Sequence, residues 1–77
     1  PNPFNGISEV KVNLSVATLL SLEVYNLVGQ KVFEIPAVRA SAGMHKLAVD
    51  SRNLIPGVYT YSVIAGGERQ TRKMIVL

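Results

Sequence analysis

The sequence has no cysteine, no tryptophan and a single histidine. Without cysteine, neither disulfides nor thiolate metal sites can hold the fold together. One histidine among scattered carboxylates offers no ligand spacing for a metal, and no cofactor is expected. Three tyrosines and two phenylalanines are the whole aromatic content, too few to interleave with a basic patch as nucleic-acid surfaces do. The net charge of +3 is spread over Lys11, Lys31, Arg39, Lys46, Arg52, Arg69, Arg72 and Lys73. Only Arg69, Arg72 and Lys73 cluster, so no nucleic-acid partner is expected. No apolar run approaches the roughly 20 residues that span a bilayer, and no transmembrane segment is expected. Apolar residues nowhere keep a helical period over the roughly 10 to 12 residues that define a helix. The chain starts at Pro1 rather than methionine, which suggests a piece of a longer protein.

What is present is a small β-domain. At 77 residues, with 48% hydrophobic and 17% charged residues, the chain is one domain; a domain near this size buries only roughly 60% of its unfolded surface. Pro1 to Gly6 reads as a linker, because proline favours extended geometry and Asn5-Gly6 favours a turn. Val10, Val12 and Leu14 then alternate with polar residues over 9–14, and residues 20–25 repeat the pattern. Tyr25 to Gln30 reads as a hairpin loop in which Gly29 can take the left-handed conformation. A strand is expected over 31–35, stopped by Pro36, followed by an irregular stretch from Val38 to Gly43. His45 to Val49 is extended with Leu47 and Val49 inward. Beyond Pro56-Gly57, Tyr59, Tyr61 and Val63 share one face, and Ala65-Gly66-Gly67-Glu68 supplies a tight hairpin into a last strand from Arg69 to Leu77. About six or seven short strands with regular turn signals predict an all-β fold, a small immunoglobulin-like antiparallel β-sandwich.

Catalytic patterns are missing. A nucleophile needs an adjacent base and an orienting group, yet His45 and Asp50 have opposite strand parity and lie roughly 17 Å apart along an extended chain. Gly66-Gly67 is not followed by a helix, so it is no phosphate cradle. Asn13-Leu14-Ser15 fits a glycosylation pattern but falls at a strand end. Tyr59 and Tyr61 on one strand face are core aromatics or, alternatively, a sugar platform. The last strand is less ordinary. Met74 and Val76 occupy one face while Ile75 and Leu77 make the other apolar as well, whereas a two-layer sandwich leaves one face wet. That second row is either buried at the rim or offered to a partner, as in strand addition.

Four stretches together carry a family resemblance: Asn2-Pro3-Phe4, Leu22 to Val32 (LEVYNLVGQKV), Leu54 to Tyr61 (LIPGVYTY) and Arg72 to Val76 (RKMIV). In this order and over nearly the whole chain, they resemble the type A C-terminal sorting domain of the type IX secretion system. The resemblance implies a non-enzymatic sorting signal, covering 7–77 behind a linker at 1–6, at the end of a larger exported cargo protein. It implies transit through the periplasm of a Gram-negative bacterium and delivery by the type IX translocon and its shuttle to the cell surface or beyond. The resemblance also implies that a surface sortase removes the domain and joins the cargo to an anionic lipopolysaccharide. Pro56, Gly57 and Tyr59 match the family's proline-glycine-tyrosine signature, although many members place a residue between the proline and the glycine. Arg72 and Lys73 match its basic pair, ahead of Met74, Ile75, Val76 and Leu77. These nine residues are the expected partner-recognition set, and a homodimer through an exposed edge strand is also compatible. The alternative is a fibronectin-like spacer or carbohydrate-binding module of a secreted enzyme; the tyrosines at two and four positions after the glycine miss that family's usual spacing.

Overall fold

Two tight turns set the registers of the larger sheet. In the first, the Asn26 side-chain oxygen accepts the backbone N–H groups of Val28 (3.1 Å) and Gln30 (2.9 Å), and Gly29 closes the turn at φ 84°. It joins β2 (Thr18–Tyr25) to β3 (Lys31–Ala40). In the second, Gly66 and Gly67 adopt φ 59° and 84°, the left-handed pair that matches strand twist in a two-residue hairpin. It joins β5 (Gly57–Ala65) to β6 (Glu68–Val76). A side chain at Gly66 would meet the Thr18 hydroxyl at 3.0 Å.

The computed structural model describes residues 2–77. With β1 (Ile7–Leu14) and β4 (Gly43–Asp50), the described chain has six strands and no helix. A two-stranded sheet, β1-β4, faces a four-stranded sheet in the order β3-β2-β5-β6, and every strand pairing is antiparallel. The small antiparallel β-sandwich expected from the sequence is the fold observed.

Alternation places the core. Leu22 and Val24 of β2, Tyr61 of β5, Met74 and Val76 of β6, Val10 of β1 and Val49 of β4 form one buried cluster. Ser62 turns to the other side of β5, where its hydroxyl pairs with that of Thr71 at 2.8 Å. Among the described residues, no buried side-chain polar atom lacks a hydrogen-bond partner.

Two expectations are corrected. Pro36 does not stop β3, which continues to Ala40. β3 is the edge of its sheet, where a missing N–H breaks no ladder bond. The pairing steps from Leu20↔Val38 to Leu22↔Ile35, so Pro36 and Ala37 together oppose Ser21 in a bulge. The stretch from Val38 onward is therefore strand as far as Ala40, and the irregular part shrinks to Ser41 and Ala42. The linker expected over 1–6 is, from Asn2 onward, built into the sandwich; Pro1 lies outside the described residues. Phe4 is fully buried and meets Tyr61 edge-on, with ring centroids 5.6 Å apart. Its backbone forms a parallel bridge to Val76: Phe4 N–H donates to the Ile75 carbonyl (2.7 Å) and Leu77 N–H donates to the Phe4 carbonyl (3.1 Å). The Asn2 amide adds two bonds, donating to the Lys73 carbonyl and accepting the Ile75 N–H, both at 2.9 Å. Burying such an aromatic side chain contributes about 1.5–3 kcal/mol.

Candidate recognition surface

Strand parity sorts the nine expected recognition residues. Met74 and Val76 point into the core and are buried. Tyr59 is buried too, and its hydroxyl donates to the Ile55 carbonyl at 2.5 Å. That bond pins the Leu54–Gly57 corner to β5, a tyrosine-corner arrangement typical of sandwiches. Tyr61 also faces inward, so neither ring is open to stack on a sugar. Pro56, Gly57, Arg72, Lys73, Ile75 and Leu77 remain on the surface. Arg72 lies opposite Tyr61 and Lys73 opposite Thr60, so the basic pair is split between the two faces of the sheet rather than forming one charged spot.

The structure gathers the surface residues with others that the sequence did not single out. The register sets Val58 beside Ile75 on the outer face. Leu27 and Val28, at the tip of the first hairpin, share a shallow hollow with Gly57 and Val58. Leu27 is 75% exposed, Val28 79% and Ile55 79%, high for large apolar side chains, and grouped exposed apolar surface commonly marks an interaction site. Leu77 is exposed just beyond Val76, which pairs with Gly57. One end of the sandwich thus carries an apolar surface built from three separate parts of the chain. A signal was available in the sequence: Leu27-Val28 occupies a turn, where polar residues are the rule.

Charge is distributed differently. On the outer face, the Glu23 carboxylate accepts the Tyr25 hydroxyl at 2.9 Å and the Arg69 guanidinium at 3.1 Å, and Lys31 stands 3.6 Å away. The Tyr25 bond first, then Arg69 and Lys31, holds the Glu23 carboxyl below its ordinary range. Lys31 is raised by its own bond to Glu34. Asp50 takes the side chain and backbone N–H of Arg52, which lower its pKa to about 2. Among the described residues, Arg72 and Lys73 join none of the ion pairs. His45 bonds the Ser41 carbonyl at 2.7 Å, and among the described residues no group of three or more His, Cys, Asp or Glu could hold a metal.

A family profile described as a secretion system C-terminal sorting domain matches residues 1–77. The chain belongs to this family. The sorting domain is that of the type IX secretion system, so it signals export across the outer membrane to the cell surface or the exterior of a Gram-negative bacterium. Membership implies interaction with the secretion machinery and an upstream cargo. No curated protein and no solved structure matches the chain.

Proposed function

We propose that this sorting domain acts without catalysis, as a folded surface whose apolar end is read by the type IX translocon and its shuttle. The observation that carries the reading is the convergence of the family's marker stretches. The Leu27-Val28 turn, the Pro56-Gly57 corner and the Ile75 to Leu77 terminus come together at one end of the sandwich. Arg72 and Lys73 lie farther back along β6 on opposite faces, while Tyr59, Met74 and Val76 support the end from below. In this reading a surface sortase cuts upstream of the domain and joins the cargo to an anionic lipopolysaccharide.

The test fuses residues 1–77 to a periplasmic reporter in a host with this machinery. The parent fusion reaches the cell surface, whereas L27D/V28D accumulates in the periplasm with its circular-dichroism melt nearly unchanged. Such exposed substitutions shift stability by about 0.5 kcal/mol or less. Export of the folded double variant at parental yield would reject the apolar end as the recognised surface. Mass spectrometry of the exported reporter tests the sortase step, since cleavage leaves a carboxyl-terminal end upstream of Pro1 joined to a new adduct.

A further inference from the structure

The outer strand edges of the two sheets, those of β1, β4, β3 and β6, are not equivalent. The β3 edge is bulged at Pro36. The outer edge of β6 is clipped by Asn2 and Phe4 along its second half. β1 and β4, by contrast, pair in unbroken register from Ile7↔Asp50 to Leu14↔Gly43. Among the described residues neither has a strand on its other side; β1 is the one that lies beside β5 and β6. Ser51 N–H donates to the Gly6 carbonyl, so even-numbered residues of β1 turn their backbone groups toward β4. Ile7, Glu9, Lys11 and Asn13 therefore turn theirs outward.

A trough runs beside this edge because two strands cover a sheet of four. Residues 10–13 of β1 form one wall, Tyr61 and Val63 the floor, and Gln70 and Arg72 of β6 the other wall, enclosing about 190 Å³. It continues past Val12 and Gln70 into a hollow of about 290 Å³ that ends at Glu68. No acid lines the first part, and Lys11 and Arg72 there have no ion-pair partner among the described residues.

We propose that this edge takes up an extended segment of another polypeptide, with apolar side chains over Val12 and Val63 and a carboxylate beside Arg72. Strand addition supplies backbone bonds to residues 7, 9, 11 and 13, and the alternating side chains supply specificity. A second copy of the domain does not fit the position. An antiparallel β1–β1 pairing keeps both larger sheets on the same side, and the two copies of β6 would then occupy one volume beneath the seam. The inference stands on edge geometry and charge, and is independent of the apolar end.

The experiment selects binders to the 77-residue domain from a displayed library of random twelve-residue peptides. The expected winners alternate apolar with polar residues and carry Asp or Glu. Their affinity falls at least tenfold in R72E and in K11P, the latter removing an outward N–H that β4 does not use. Amide exchange at Glu9, Lys11 and Asn13 slows when the peptide binds. Winners that bind both variants as tightly as the parent, or a library that yields none, would overturn the proposal. So would sedimentation showing a dimer in which those amides are protected without peptide. R72E lies on the surface, so its result stands even where K11P fails to fold.

Discussion

Between Met74 and Leu77 the carboxyl-terminal strand is held by β5, by the core beneath it and by the Asn2–Phe4 segment along its outer edge. Between Glu68 and Arg72 the same strand is held by β5 alone along its backbone, and its inward positions Gln70 and Arg72 look into a trough. The difference shows that the second half is fixed by residues more than 70 positions away in sequence. The beginning and end of the domain are thus joined side by side, and the terminal stretch is braced by its own lead-in.

The strongest way to break this contrast is Phe4→Ala. Emptying a fully buried aromatic site costs about 3–5 kcal/mol, read as a lower guanidinium midpoint. Amide exchange at Leu77, whose N–H bonds Phe4, should then rise to the level of the Glu68–Thr71 half. Parental protection at Leu77 in a folded variant would contradict the clip. Asn2→Ala removes two exposed hydrogen bonds and is expected to cost about 1 kcal/mol, with faster exchange at Ile75 and little change at Thr71. Tyr59→Phe leaves the Ile55 carbonyl without its donor, for a loss of about 1 kcal/mol or less, and loosens the Leu54–Gly57 corner without touching either half of β6.

The smallest effect comes from acid. Glu23 and Asp50 both have folded pKa values below the ordinary carboxylate range. Their stabilisation is therefore complete above the unfolded value near pH 4 and is lost as pH falls through the folded one, about 2 for Asp50. Melting temperature should drop from about pH 5 to about pH 2, and the drop should be smaller in Asp50→Asn. Protonating Glu23 also frees Arg69, so acid loosens the first half of β6 and widens the contrast between the halves. An equal drop in Asp50→Asn would remove that carboxylate from the account.

Much of this was legible in the sequence because alternation and turn chemistry are local. Val10, Val12 and Leu14 gave β1 its face, Gly66-Gly67 gave the second hairpin, and the Asn26 to Gly29 turn gave the first. Pro36 misled because proline ends a central strand yet is tolerated on an edge, and edge position follows from sheet order, not from the residues nearby. Phe4 was hidden among Asn and Pro residues whose local preference is extended and polar, and its partners lie at the other end of the chain. Of the recognition set, Pro56, Gly57, Arg72, Lys73, Ile75 and Leu77 are on the surface. Motif matching could not separate them from Tyr59, Met74 and Val76, since a residue that supports a surface and one that forms it keep the same spacing. The apolar end escaped because its parts, Leu27-Val28, Ile55 and Val58, meet only after the sheet has formed.

The bulged proline of β3 has one more consequence. A flank that lacks a donor and kinks out of line is a poor template for a neighbouring molecule, which disfavours fibril growth from that side.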